Sequence, residues 1–263
     1  MGTGKLSWFE CATTRAQVAG VLHSPPTTVD RDSSLRARLD EVRDRAGGGR
    51  IVFTTSFGLE DQALLHAVVA TGLAADIITL DTGRLFPETY ALWAETEARY
   101  GVRIRAFYPD AEEIGAFVAW HGINAFRDAK ELRLACCGIR KVEPLRRALA
   151  GAVVWLTGLR GGRGSGGAID PMIRDEARGV WKVAPLHDWT REEVADYCAR
   201  HDVPVSPLHA RGFPSIGCEP CTRAVLPGEP ERAGRWWWEE DAQRECGLHV
   251  GPDGRLVRAA ARA

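Results

Sequence analysis

The sequence predicts an α/β fold in which a parallel sheet carries helices on both faces and is followed by an irregular, cysteine-containing C-terminal segment. Three observations predict it. Short β-branched apolar runs alternate with longer stretches of helical periodicity. Polar turns containing glycine or proline separate each run from the helix that follows. From Pro204 to Pro230, periodicity gives way to proline and glycine.

Ile51-Val52-Phe53-Thr54 is the first strand, Ser56-Phe57-Gly58 its turn, and Leu59, Leu64, Leu65, Val68 and Val69 the apolar face of the next helix. Ile77 to Leu80 repeats the pattern, with Pro87 opening a helix that runs to Arg99. Val102 to Phe107 is a third strand, and a helix begins near Asp110. A helix over roughly Ile139 to Leu149 leads to a fourth strand, Val153 to Leu156, and Val180 to Ala184 makes a fifth. Such alternation builds a parallel sheet. Thr190-Arg191-Glu192-Glu193 is a capping box that starts a helix to about His201. The segment before Gly47 reads as one or two helices packed outside the sheet. We therefore divide the chain into residues 1–203, a nucleotide-binding α/β unit with N-terminal helices, and residues 204–263, a cysteine loop and tail within the same compact domain.

Composition narrows the class. The chain has 263 residues, 45% hydrophobic and 26% charged, close to the globular average, and is long enough to bury a large core without disulfide staples. Its 34 basic and 35 acidic residues leave a net charge of -1, so no global field draws it to nucleic acid or to a membrane surface. Met1 to Gly20 has no apolar signal-peptide core, and no run is long enough to span a bilayer. With an odd number of cysteines, seven, this points to a reducing compartment and a cytoplasmic location.

Five of those cysteines form a chemically informative set: the tandem Cys136-Cys137, the pair in Cys218-Glu219-Pro220-Cys221, and the separate Cys246. A Cys-x-x-Cys turn constrained by proline directs two thiolates at one centre. Adjacent helical residues diverge by about 100°, so Cys136 and Cys137 share a centre only at a helix start or around a large cofactor. A cube of iron and sulfide suits that span better than one zinc ion, although structural zinc remains an alternative. Cys246 has no companion in its own segment, which leaves it available as a nucleophile. Cys11 and Cys198 lie in amphipathic patterns typical of core thiols.

Parallel sheets bind ligands where strands end and helices begin. Ser56 and Gly58 occupy that position after the first strand, with backbone N–H groups and the Ser56 hydroxyl as phosphate donors. Asp81, Thr82, Gly83 and Arg84 place polar donors at the next strand's exit. Lys141, Arg160, Arg232 and Arg235 are the candidate cations for an anionic ligand. Arg232 and Arg235, spaced i, i+3, are expected on one face of a helix. Trp236, Trp237 and Trp238 read as packing residues.

Taken together and in order, Ser56 to Asp61, Asp81 to Arg84, Cys136 to Lys141, Pro207 to His209, Cys218 to Thr222, Arg232 to Trp238 and Glu245 to His249 resemble the assimilatory adenylylsulfate reductases. The likeness runs over about residues 50 to 249. It implies an ATP-pyrophosphatase-like (adenine nucleotide alpha hydrolase-like) fold and a [4Fe-4S] cluster on Cys136, Cys137, Cys218 and Cys221. It also implies substrate contacts that include His249, and reduction of adenosine 5'-phosphosulfate to sulfite and AMP through an S-sulfocysteine on Cys246. Release of that sulfite requires an outside thiol, so a separate thioredoxin or glutaredoxin is the expected electron donor, and a homo-oligomer is compatible with the family. Relatives acting on the 3'-phosphorylated substrate generally lack the paired cysteines, so the resemblance favours the unphosphorylated one.

One loop departs from the family pattern. After Thr157-Gly158-Leu159-Arg160 the chain continues Gly161 to Gly167, rich in glycine where relatives carry polar residues including a glutamine and an arginine. Gly162 to Gly167 satisfies G-x-G-x-x-G, but no helix clearly follows, so a flexible loop is the simpler reading. The alternatives are a reductase for the 3'-phosphorylated substrate, an ATP-using phosphate-loop enzyme such as a tRNA-thiolating ATP pyrophosphatase, and a non-catalytic iron–sulfur or zinc protein in which Cys246 is dispensable.

Overall fold

A computed structural model describes residues 30–161 and 169–239. Contacts group the chain into Met1–Asp30, of which only Asp30 is described, and Arg31–Ala263, which holds the sheet and the site.

Six strands form one sheet: β1 (Arg50–Thr55), β2 (Asp76–Leu80), β3 (Arg105–Phe107), β4 (Ala152–Leu156), β5 (Met172–Asp175) and β6 (Val180–Val183). Their order across the sheet is β3-β2-β1-β4-β6-β5. All pairs are parallel except β5 with β6, which is an antiparallel edge. The chain first steps outward from β1 through β2 to β3, then returns to the other side of β1 with β4. Between the carboxyl ends of β1 and β4 the connections diverge in opposite directions, and this switch point is the natural ligand crevice of such a sheet.

The apolar runs form strands because both sheet faces are covered. Ile51 and Phe53 face one core with Leu64, Leu65, Leu39 and Val194, whereas Val52 faces the other with Ile78, Leu145 and Trp155. The first core is built by α1 (Arg31–Ala46), α2 (Leu59–Ala70), α3 (Pro87–Tyr100) and α7 (Arg191–Arg200); the second is closed by α6 (Glu143–Ala148). The expected helices on both faces are therefore present. The capping box at Thr190 and Glu193 is also formed, with each side chain accepting the other's backbone N–H.

The observed elements differ from the sequence expectation in four places. The third strand is confined to Arg105–Phe107, where β2 supplies ladder partners, instead of beginning at Val102. The edge strand β5 was not anticipated. The helix expected from Ile139 begins earlier and is interrupted: α5 (Lys130–Cys137) runs into a π-helical segment, Gly138–Val142, and only then into α6. Arg232 and Arg235 are not on a helix; Arg235 N–H closes a turn onto the Arg232 carbonyl at 2.9 Å, and Arg235 then bridges to Thr222. A further helix, α4 (Ala111–His121), is capped by Asp110, which accepts from Glu112 and Glu113 N–H.

Helix α1 is held to α7 by Asp32, which accepts from Arg200 at 2.7 and 2.9 Å and meets His201 Nε2 at 2.7 Å. The Arg200 hydrogen bonds outweigh the opposing effect of burial and, with His201, hold the Asp32 carboxyl at about 2. A depressed carboxylate pKa contributes stability that is present above its unfolded value of roughly 4 and is lost as pH falls through about 2. The pair is partly solvated, so the contribution is below about 1 kcal/mol. Asp32→Asn should therefore lower the urea midpoint slightly at pH 6, and the difference from the parent protein should shrink as pH approaches 2. Chemical denaturation at both pH values reads this directly.

Candidate active site

Three strand exits and one irregular loop converge at the carboxyl edge of the sheet. After β1, Phe57 adopts a left-handed backbone (φ 59°) with its ring buried and stacked on Trp93 at 5.8 Å. This kink sets Ser56 and Gly58 at the N-terminus of α2, where Gly58 is the N-cap and makes no side-chain cap bond. Ser56 N–H and Oγ–H both donate to Asp61 Oδ2, at 2.7 and 2.6 Å. The exit of β4 packs tightly on this turn: a Cβ at Gly158 would lie 2.2 Å from Asp61 Oδ1, so only glycine permits the approach.

Arg160 leaves the same β4 exit and is buried. Its Nε donates to Glu60 at 3.0 Å, and its Nη2 donates to both carboxylate oxygens of Glu231 at 2.8 and 2.7 Å. Arg160 thus ties the β1 and β4 turns to the segment that carries Arg232 and Arg235. Arg232 lies over Trp236, 6.0 Å from the ring centroid.

After β2, Asp81 organises its own turn by accepting Gly83 N–H at 2.8 Å and the Tyr90 hydroxyl at 2.8 Å. Burial and this carboxylate push the Tyr90 phenol up to about 12. Gly83 has a φ of 69°, the left-handed conformation that favours glycine. Arg84 reaches the Ile123 carbonyl at 2.7 Å and covers Phe126. Its own carbonyl accepts Glu219 N–H at 2.8 Å, which joins this turn to the Cys218–Cys221 loop. Thr82 Oγ1 lies 3.3 Å from Cys218 Sγ.

Cys136, Cys137, Cys218 and Cys221 all line one partly open cavity, together with Arg84, Arg140 and Lys141. Cys136 and Cys137 end α5 at the point where the helix widens into its π-segment. Such widened turns often occur at functional sites. Among the described residues, no group of three or more His, Cys, Asp or Glu side chains is arranged to hold a single metal ion. The wall residues Arg140 and Trp236, and Arg235 stacked behind Trp236, carry unused donors: Arg140 Nε, Trp236 Nε1 and Arg235 Nε are buried with no hydrogen-bond partner among protein atoms.

Charge is unevenly shared among the sulfurs. Burial opposes ionisation of Cys218, yet Lys141, the Thr82 hydroxyl, Arg235 and Arg140 together bring its pKa below the ordinary thiol value. Burial and the neighbouring Cys218 instead push Cys221 up to about 11, against the pull of Lys141 and Arg235. Burial likewise raises Cys136, against the opposing charge of Arg140. Four cationic side chains thus surround a sulfur-lined space, the reverse of what a plain apolar core would hold.

The structure therefore brings together the four cavity cysteines, Lys141, Arg84 and Arg235, with Thr82 and Gly83 alongside. It sets Ser56, Gly58 and Arg160 together at the neighbouring switch point. His209 is bonded through Nδ1 to the Phe213 carbonyl at 2.8 Å. Cys246, His249, Cys11 and the Gly162 to Gly167 loop lie outside the described residues. Sequence reasoning overlooked Arg140, whose Nη1 donates to the Thr82 carbonyl at 2.5 Å, and Arg133, which is buried beside Cys137. Both stand three or four residues from a cysteine on one helical face, a spacing that identifies them.

Residues 50–224 match the phosphoadenosine phosphosulfate reductase domain. The chain is 53% identical over 204 residues to the adenosine 5'-phosphosulfate reductase of Agrobacterium fabrum, covering 77% of this chain and 78% of that protein. It is 48% identical over 200 residues to the enzyme of that name from Allochromatium vinosum, covering 76% and 78%. The crystal structure of the phosphoadenylyl-sulfate reductase from Candida auris, a phosphate complex, superposes with a TM-score of 0.60 at 27% identity, covering 74% of this chain and 96% of that one. The chain belongs to the phosphoadenosine phosphosulfate reductase family.

Proposed function

We propose that this protein reduces adenosine 5'-phosphosulfate to sulfite and AMP, with Cys246 as the nucleophile and a [4Fe-4S] cluster held by Cys136, Cys137, Cys218 and Cys221. The observation that carries the reading is the sulfur-lined cavity itself. Four thiols from two distant segments line one cavity with Arg140 and Lys141, beside a nucleotide-type switch point. A single ion needs ligands within about 2.3 Å of one point, whereas a cube distributes its four sulfur ligands over separate corners. The orphaned donors of Arg140, Arg235 and Trp236 match the acceptor-rich surface such a sulfide cluster presents.

In the proposed reaction the substrate's phosphate sits at the Ser56 and Gly58 turn, where helix α2 offers N–H groups and its positive dipole end. Lys141, Arg160, Arg232, Arg235 and His249 are the proposed groups facing the phosphosulfate and the departing charge. The Cys246 thiolate attacks the sulfur, an S–S bond forms, the sulfur–oxygen bond to the phosphate breaks, and AMP leaves with that electron pair. A thiolate of a separate dithiol protein, thioredoxin or glutaredoxin, then attacks Cys246 Sγ and expels sulfite. Its second thiol displaces Cys246 from the mixed disulfide, so two electrons from the dithiol account for reduction of the sulfur. A cluster held by Cys136, Cys137, Cys218 and Cys221 would supply a fixed charge and a scaffold, and each of the steps above is carried by the chain's residues and the substrate.

The experiment is to supply adenosine 5'-phosphosulfate with reduced thioredoxin and to measure sulfite and AMP, with the 3'-phosphorylated substrate and ATP as parallel arms. Sulfite and AMP from the first arm at the highest kcat/KM support the reading. Preference for the 3'-phosphorylated compound assigns the protein to the other branch of its family. Pyrophosphate from ATP without sulfite would contradict the reading.

A further inference from the structure

We propose that Arg133 and Glu239 are positioning residues: a buried clamp that fixes the base of the tail carrying Cys246 against the helix carrying Cys136 and Cys137. This inference rests on the reading of Cys246 as the nucleophile. Arg133 is 1% exposed, so its charge must be satisfied locally. Its Nε and Nη2 donate to the two carboxylate oxygens of Glu239 at 2.5 and 2.9 Å, a bidentate pair whose carboxylate partner is only 8% exposed. The guanidinium also covers the Trp236 ring at 4.7 Å, and Arg133 lines the same cavity as Cys137. One side chain therefore joins the wall of the cysteine cavity to the start of the tail.

The backbone supports the same placement. Trp236 N–H donates to the Cys221 carbonyl at 3.2 Å, Arg223 N–H to the Gly234 carbonyl at 2.9 Å, and Glu239 N–H to the Trp236 carbonyl at 2.9 Å. Residues 234–239 are thus pinned to the second cysteine segment by main chain and to α5 by Arg133. Glu239 precedes Cys246 by seven residues, a tether of at most about 25 Å. Fixing residue 239 bounds the distance between Cys246 and the Cys136–Cys137 helix by chain length alone, and holding a nucleophile near its target is the entropic part of its catalysis. A buried ion pair is a weak way to gain stability, because desolvation offsets most of its attraction, so a positional role accounts for the pair better than stability does.

The test uses the iron-loaded full chain and the variants Glu239→Gln, Glu239→Asp and Arg133→Lys. Three quantities are read: iron per chain, the rate of Cys246 S-sulfonation in a single turnover without reductant, and the rate of tryptic cleavage after Arg244. For Glu239→Gln we expect full iron, KM for adenosine 5'-phosphosulfate within about twofold, sulfonation slowed about tenfold, and cleavage accelerated severalfold. Glu239→Asp should recover part of both rates, and Arg133→Lys, which keeps the charge but loses the fork, should behave like Glu239→Gln. Unchanged sulfonation and cleavage in iron-replete Glu239→Gln or Arg133→Lys would overturn the clamp. A sulfonation rate that falls only in proportion to iron would overturn it as well. A parent protein that forms no Cys246 adduct contradicts the proposed function instead, and the clamp is then judged on the cleavage rates alone.

Discussion

Cys246→Ser is expected to lose at least about a thousandfold in sulfite production while retaining its iron and its affinity for AMP. The expectation follows from the division of sulfurs: four cysteines line one cavity, and the fifth belongs to a separate segment. A serine hydroxyl is a far weaker nucleophile than a thiolate at neutral pH and forms no exchangeable disulfide with the reductant, so both halves of the proposed cycle fail together. Effects of this size are typical of removing a covalent nucleophile. Sulfite assays with and without reductant, alongside an AMP titration, separate lost chemistry from lost binding. Retained sulfite production by the serine variant would remove the central residue of the proposal.

The second large effect is expected at Cys218. Cys218→Ser should lower iron per chain to below about one tenth and lower thermal stability, because metal-site binding energy is also folding energy. Cys218 is buried, contacts Thr82 Oγ1, and precedes the turn whose Glu219 N–H bonds the Arg84 carbonyl. Losing the cluster there would loosen a segment that joins the β2 exit to Trp236, through Glu219 N–H on the Arg84 carbonyl and Trp236 N–H on the Cys221 carbonyl. Cys198→Ser is the control, since Cys198 lies in the main core against the Leu59 carbonyl and burial pushes its thiol up to about 12. It should keep full iron. Metal analysis and a melting curve of the two variants decide the matter.

Much of this was legible in the sequence because the features involved are local. Val52 and Phe53 belong to an unbroken apolar run, as a strand covered on both faces must. The Thr190 capping box and the proline at the start of α3 are signals read within four residues. The pairing of Cys136-Cys137 with Cys218 and Cys221 was legible from the chemistry of thiolates and from the family likeness, although no periodicity brings positions 137 and 218 together.

What was not legible depends on tertiary context. The strand β5 has only four residues, Met172 to Asp175, and is ordered by its ladder to β6. Intrinsic preference does not specify so short an edge. The π-segment at Gly138–Val142 is invisible to a 3.6-residue template because it breaks that period where the cysteines need room. Arg232 and Arg235 have helical spacing but are closed by a turn, since Arg235 finds its partner in Thr222 across a bridge. Arg160 reads as a ligand cation in the sequence, and the structure adds that Glu60 and Glu231 already fix its fork, so its charge is oriented before any ligand arrives. Ser56 reads as a phosphate donor in the sequence, whereas in the structure its N–H and hydroxyl are both taken up by Asp61.

The most direct measurement is peptide mass spectrometry of the iron-loaded protein after one turnover with sulfur-labelled adenosine 5'-phosphosulfate in the absence of any thiol reductant. The account predicts one labelled sulfonate per active chain, on Cys246, with Cys136, Cys137, Cys218 and Cys221 unlabelled. Label on any cavity cysteine, or release of labelled sulfite with Cys246 unmodified throughout, would contradict it.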